Sequence, residues 1–440
     1  MMTRLLSISA FVLAVLAVSP SRAADVQVVE SDGGISAWLV EDRSNPIISV
    51  RFAWKGGAAL DPTGRAGLAN MVSGLIDEGA GDLDSQAFQG ELDKHSVSLS
   101  FRAGKDSFGG ELTMLTEKAD EAWRLLRLAV TEPRFDEEPV ARIRGQILAD
   151  LRQQVEDPGA VAGREMFEVL FPGHPYASPT QGTIESVGSV TTDDLRTFVQ
   201  TRLARENLYV GVVGDIDAEM LKVALDEVFG SLPETSTVGA VSDIDPPIQG
   251  SLKVVQKAVP QSSVLFAQPG PDRHDEDFFP LYVMNYVLGG GGFTSRLYTE
   301  VREERGLAYS VYSYISPYDH ASIISGGAGT ANARVGETIA VVRDVWARMA
   351  RDGISAEELN DAKTFLTGSY PLRFTSSGNV AEMLVGLQLD ELGSDYFDIR
   401  NDLIEAVTLE QVNDATKRWL DPDSLTFIVV GEPDGLGDEG

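Results

Sequence analysis

The chain contains no cysteine. Disulfides, thiol nucleophiles and cysteine–zinc sites are thereby excluded, and stability must come from a packed core, which 440 residues can build. Histidine is scarce too: there are four, His95, His174, His274 and His320, and no two stand at helical i, i+4 spacing. Neither H-E-x-x-H nor H-x-x-E-H occurs, so the paired histidines of a hydrolytic zinc site are missing. Each histidine reads as a surface or loop residue, including His174 in the loop Phe171-Pro-Gly-His-Pro-Tyr176. A G-x-S-x-G elbow, a Walker lysine and a dinucleotide fingerprint are also absent. Basic residues number 36 against 67 acidic ones, for a net charge of −31. Such a field repels phosphate backbones and anionic lipid surfaces, which argues against nucleic-acid and membrane binding.

Long apolar runs are lacking except at the N-terminus. There MMTRLLSISAFVLAVLAVSPSRAAD places Arg4 before an apolar stretch from Leu5 to Val18 and a small-x-small site at Ser21-Arg22-Ala23. This pattern predicts a signal peptide over residues 1–23, removed to leave a soluble, periplasmic protein of Gram-negative type. The apolar stretch is short of the roughly 18 to 20 residues that a spanning helix needs.

Strands and helices mix without strict βαβ alternation, which predicts an α+β fold. Expected strands are Val26–Val40 (broken at Asp32-Gly-Gly34), Ile47–Trp54, a hairpin over Val97–Leu115 and Asn207–Val213. Expected helices are Ala66–Asp77, Ser85–Leu92, Thr116–Thr131, Glu137–Val155, Thr192–Arg202 and Ala218–Phe229. Signals of the first half then recur. Ser49-Val-Arg-Phe-Ala53 matches Ser263-Val-Leu-Phe-Ala267; Phe135 and Glu137-Glu138 match Ile354 and Glu357-Glu358. Val190-Thr191 matches Val407-Thr408, and Asn207-Leu-Tyr-Val-Gly-Val-Val-Gly-Asp215 matches Ser424-Leu-Thr-Phe-Ile-Val-Val-Gly-Glu432. Four matches in order at a near-constant offset predict two homologous α+β domains, residues 24–234 and 251–440. The Pro-containing stretch 235–250 joins them as a linker.

The stretch Gly289–Ser316, GGGGFTSRLYTEVREERGLAYSVYSYIS, carries the most chemistry. Its glycines permit sharp turns or close backbone approach. Thr294 or Ser295 offers an N-cap, Arg296–Arg305 reads as a short helix ended by Gly306, and Leu307–Ile315 reads as a strand. Arg302 and Tyr309 are then two donors held near one corner, able to grip a peptide carbonyl and stabilise an oxyanion. The competing reading gives Arg302 to its helix C-terminus and Tyr309 to a core.

The two-fold repeat, Gly67-Leu68-Ala69 opening a helix, and GGGGFTSRLYTEVREERGLAYSV together resemble the pitrilysin/insulinase zinc peptidases, in the two-domain, mitochondrial-processing-peptidase-like branch. The resemblance covers essentially the whole chain after the leader. It implies tandem domains facing each other as a clam shell. In catalytic relatives Gly-Leu-Ala leads into H-x-x-E-H; here those positions are Asn70, Ser73 and Gly74, and the later acidic ligand falls on Asp150. Glycine offers no ligand, asparagine a poor one, and serine no general base near neutral pH. The chain is therefore expected to bind no metal and to cleave nothing alone. Arg302 and Tyr309 fall on the family's substrate-contacting pair. Gly289, Gly290, Gly291, Gly292 and Phe293 match a glycine-rich substrate-handling segment of non-catalytic subunits.

The resemblance thus implies a non-catalytic, substrate-positioning subunit of an exported heterodimeric zinc metallopeptidase. A homologous partner would supply H-x-x-E-H and zinc, and this chain would supply Arg302 and Tyr309. Two other readings remain: a structural or assembly subunit, and a periplasmic protein that binds peptides without cutting them.

Overall fold

A computed structural model describes residues 25–436; the signal-peptide reading falls outside the described residues. The first half contributes strands β1 (Gln27–Glu30), β2 (Ser36–Glu41), β3 (Ile47–Lys55), β4 (Ser98–Ala103), β5 (Ser107–Leu115) and β6 (Leu208–Gly214). Its helices are α1 (Leu68–Ser73), α2 (Ser85–His95), α3 (Ala119–Thr131), α4 (Glu137–Gln154), α5 (Pro158–Leu170), α6 (Ile184–Ser189), α7 (Thr192–Arg202) and α8 (Ala218–Phe229). The second half contributes β7 (Leu252–Gln256), β8 (Gln261–Pro269), β9 (Ala308–Tyr318), β10 (Ala321–Ala331) and β11 (Thr426–Gly431). Its helices are α9 (Phe278–Asn285), α10 (Val335–Asp352), α11 (Ala356–Gly368), α12 (Ser377–Leu389), α13 (Tyr396–Ala406) and α14 (Leu409–Trp419).

The strands form two sheets, β1-β2-β6-β3-β5-β4 and β7-β11-β8-β10-β9. Without β1, the two orders superpose strand for strand, including the single parallel pair in each, β2 with β6 and β7 with β11. The register repeats as well. Val50 lies opposite Val212, and Val264 lies opposite Val429, at the offsets read from the sequence. Equivalent helices start alike: Thr191 caps α7 by exchanging hydrogen bonds with Asp194, and Thr408 caps α14 in the same way with Gln411.

Local pattern explains most elements. On α10, Val335, Thr338, Ile339, Val342, Val345, Trp346 and Met349 recur at helical spacing and are buried. β3 alternates: Ile48, Val50, Phe52 and Trp54 are buried in the core of the first half, while the other face carries Ser49, Arg51 and Ala53 towards α12.

One cover comes from an unexpected place. α5 of the first half lies on β8 and β11 of the second sheet, while α12 of the second half lies on β6 and β3 of the first. Val161, Ala162, Met166 and Leu170 of α5 thus share a cluster with Ala267, Ile323, Ile428 and Val430. Val380, Ala381, Leu384 and Leu387 of α12 share another with Trp38 and Val213. Residues 235–250 form neither helix nor strand.

Three expectations need correction. The helix expected over Ala66–Asp77 spans only Leu68–Ser73, because Gly67 has φ +91° and the chain turns again from Gly74. Between Val155 and Thr192 the sequence gives only the His174 loop, yet the chain forms α5 there, with Asp157 as N-cap and Pro158 in its first turn. His174 is in a loop but is not a surface residue. It is buried, accepts from the Tyr176 N–H and bonds the Ser242 carbonyl at 2.7 Å, tying its loop to the linker.

Candidate functional site

Two places hold the residues singled out from the sequence. The first is a pocket of about 270 Å³ between α1 and α4, where Asn70, Ser73, Gly74 and Asp150 all contribute to the lining. The start of α1 is anchored from below. Asp61 accepts from the Gly67 and Ala69 N–H groups, at 3.0 and 3.2 Å, and pairs with the buried Arg202 at 3.1 Å. Fold and sequence spacing therefore bring the four positions together, 76 residues apart in the chain for Gly74 and Asp150.

The donors present do not suit zinc. The Ser73 hydroxyl donates to the Asn70 carbonyl of its own helix at 2.8 Å, and Gly74 contributes no atom. A Cβ at Gly74 would stand 3.2 Å from Cγ2 of Ile143, so the neighbour already fills part of a side chain's space. Asp150 alone is anionic among the four. Among the described residues no group of three or more histidine, aspartate or glutamate side chains is placed to hold a metal.

The second place is the corner after the glycines. Ser295 is buried, and its hydroxyl accepts from the Tyr298 N–H at 3.4 Å, starting the helix that widens into a π-helical turn over Tyr298–Glu303. Gly306 ends it with φ +57°, and its N–H donates to the Arg302 carbonyl at 3.0 Å. β9 then begins at Ala308 and runs as the edge strand of its sheet.

The arginines of this turn behave differently. Arg296 grips Glu358 through two bonds of 2.7 Å, and Arg305 pairs with Glu304 at 3.2 Å. Among the described residues the Arg302 side chain has no hydrogen bond or ion pair. Its guanidinium lies between two rings instead, 4.8 Å from the centre of Tyr298 and 4.9 Å from that of Tyr309. Tyr298 is buried, whereas Tyr309 is 78% exposed. Stacking holds the plane of the guanidinium without consuming its N–H donors. The result is a pair of neighbouring donors, the half-buried Arg302 and the exposed Tyr309. The alternative of a core tyrosine is ruled out by that exposure.

The glycines divide by role. A Cβ on Gly289 would stand 2.6 Å from the Ser313 N atom, and one on Gly291 would stand 2.7 Å from the Tyr286 carbonyl oxygen. These two, and Gly290 against Asn285, let the turn pack tightly on β9 and α9. Gly292, with φ +58°, sits in open space. Phe293 beside it is 73% exposed, with its ring edge against Tyr298. Phe293, Tyr298, Arg302 and Tyr309 thus form one chain of ring contacts. Tyr298 was missed in the sequence; its signal is the i, i+4 spacing to Arg302 within one helical turn.

Comparison with known proteins follows the same lines. The family described as "Peptidase M16 inactive domain" matches residues 189–366. A Helicobacter pylori protein named "Non-peptidase homolog YmxG" is 28% identical over 395 residues, covering 89% of this chain and 90% of that one. A Mycobacterium leprae protein named as an uncharacterized zinc protease is 30% identical over 331 residues, covering 70% of this chain and 73% of its own. Among solved structures, a peptidase M16 inactive domain from Pseudomonas fluorescens superposes with a TM-score of 0.87 at 28% identity, covering 94% of this chain and 99% of that one. The periplasmic protease PqqL of Escherichia coli shares the fold at a TM-score of 0.78 and 17% identity; this chain spans 49% of it.

Proposed function

The chain belongs to the M16 peptidase family, as an inactive member, and from that premise we propose that it positions substrate for a homologous zinc-bearing partner. The partner would carry H-x-x-E-H and its zinc. This chain would close over the partner's site with Arg302 and Tyr309, after export to the periplasm. The proposal rests on one contrast. The zinc positions hold Asn70, Ser73 and Gly74, while Arg302 lies beside a largely exposed Tyr309, with no hydrogen bond or ion pair to its guanidinium among the described residues.

In this arrangement the peptide would lie extended near the edge strand β9, with the Arg302 fork and the Tyr309 hydroxyl directed at a backbone carbonyl. Both donors strengthen as negative charge develops on that oxygen, so their value lies in the transition state. No helix among the described residues is long and apolar enough to cross a membrane.

The test has two parts. The tagged protein is recovered from its native periplasm, and a near-stoichiometric companion carrying H-x-x-E-H is expected. With that companion present, Arg302→Ala and Tyr309→Phe should each lower peptide turnover by about 10²- to 10³-fold while complex formation persists. Wild-type turnover by both variants would remove the assigned role. Recovery of this chain alone would remove the subunit reading.

A further inference from the structure

A second cavity opens beside the pocket of Asn70 and Asp150 and shares Asn70, Leu151, Gln154 and Gln181 with it. It is a trough of about 1010 Å³ between α4, α5 and the segment 177–185. Leu151, Val155, Phe167, Pro179 and Ile184 give it mostly apolar walls. Its charged groups are Lys105, Arg164 and Glu185, so it is locally cationic in a chain whose net charge is −31.

Lys105 is the unusual member. It stands in the β4–β5 turn, whose backbone is fixed by bonds from the Gly56, Ala58 and Ala59 N–H groups. Its ammonium donates to the carbonyls of Tyr176 and Ser178, at 2.8 and 3.0 Å, and lies 4.5 Å from the centre of the Phe167 ring. Among the described residues it forms no ion pair with a carboxylate. A largely desolvated cation normally has a counter-ion. One without a counter-ion, at the wall of an apolar trough, is arranged for an anion from outside.

We propose that this trough binds the C-terminal end of an apolar peptide, with the terminal carboxylate paired to the Lys105 ammonium and the last side chains against Phe167 and Ile184. Arg164 adds a second cation along the trough; its nearest acidic contact, Glu165, is 4.0 Å away and is itself engaged by Lys253 at 2.6 Å. The site lies wholly between Asn70 and Glu185. It therefore stands whether or not Arg302 and Tyr309 serve a partner, and it requires only this chain.

A titration follows from the same geometry. Burial pushes the Lys105 ammonium down to about 8, against a smaller opposing effect of the neighbouring Asp106 charge. Glu185 and Arg164 face it across the trough, while Lys55, Asp243, Asp319 and His320 share the interdomain cavity on its other side. A bound carboxylate favours the charged amine and raises its pKa again, so binding should take up protons near pH 8 to 9 and weaken above that range.

The test uses the purified protein and an N-terminally fluorescein-labelled peptide, Gly-Ala-Leu-Val-Phe, as free acid and as C-terminal amide, followed by fluorescence anisotropy. The free acid should bind about tenfold or more tighter than the amide at pH 7. Lys105→Gln should erase that difference, Lys105→Arg should keep it, and Arg164→Gln should reduce it. Circular dichroism melting of each variant reports whether the fold is retained. Equal binding of acid and amide, or an undiminished preference in folded Lys105→Gln, overturns the proposal. If decanoate binds while neither peptide does, the trough takes an apolar acid but not a peptide terminus, and the proposal also falls.

Discussion

Asp77 shows how much one side chain's surroundings decide. It lies at the end of the turn after α1, and burial, reinforced by the charge of Glu78, raises its carboxyl to about 6 even though its own backbone N–H favours the ionised form. Because the folded value lies above the ordinary aspartate value of 3.8, its contribution to stability is fully present below about pH 3.8 and is lost as pH rises through about 6. Asp77→Asn should therefore be more stable than the parent above pH 7, by about 1–3 kcal/mol after allowance for partial exposure. The difference should vanish by pH 4. Urea unfolding at both pH values measures it. Nothing in the sequence announced this group, since neighbouring residues do not reveal burial. The zinc positions are the opposite case. In any fold Gly74 supplies no ligand atom, Asn70 a poor one and Ser73 no general base near neutral pH, so their chemistry is legible from residue identity.

Helix α12 reaches the first sheet over a glycine. A Cβ at Gly211 on β6 would stand 2.6 Å from the Ala381 carbonyl oxygen and 2.8 Å from Cβ of Leu384. The Gln388 side chain reinforces the contact by donating to the Val210 carbonyl at 3.1 Å. Gly211→Ala should cost about 1–3 kcal/mol by overpacking. Gly145→Ala, on the exposed face of α4 with nothing within 4 Å of the added carbon, should be neutral or stabilising by about 0.5–1 kcal/mol. Denaturant midpoints of the two variants compare them directly. Elements with strong periodicity or caps, such as α8, were legible to the residue. α5 was not, because its apolar positions face a sheet from the other half of the chain. The sequence reads Arg296–Arg305 as an ordinary short helix, whereas the chain widens into a π-helical turn at Tyr298–Glu303, where it packs against β9.

The exchange of α5 and α12 makes the two halves mutually dependent. Each sheet has one face covered by a helix from the other half, and further bonds cross between them. Tyr176, held by its bond to Asp106 of the same half at 2.6 Å, accepts from the His320 N–H at 3.0 Å, and Lys55 pairs with Glu391 at 2.8 Å. Residues 25–234 produced alone should expose the face of β3 and β6, bind a hydrophobic dye and aggregate; residues 251–440 should do likewise. Co-expression of the two pieces should yield a soluble one-to-one complex, detectable by size-exclusion chromatography. Two soluble, cooperatively folding pieces would show that the exchanged helices contribute little.

The duplication, the α+β class and the loss of zinc chemistry were determined by the sequence alone. Alternation, capping residues and donor atoms are local properties, and they repeat or fail at identifiable positions such as Val50 and Val264 or Gly74. The exposure of Tyr309, the exchanged helices and the unpaired Lys105 were decided only by tertiary structure. Each depends on which distant groups come within a few ångströms, and on how much water they exclude, and no window of neighbouring residues carries that information.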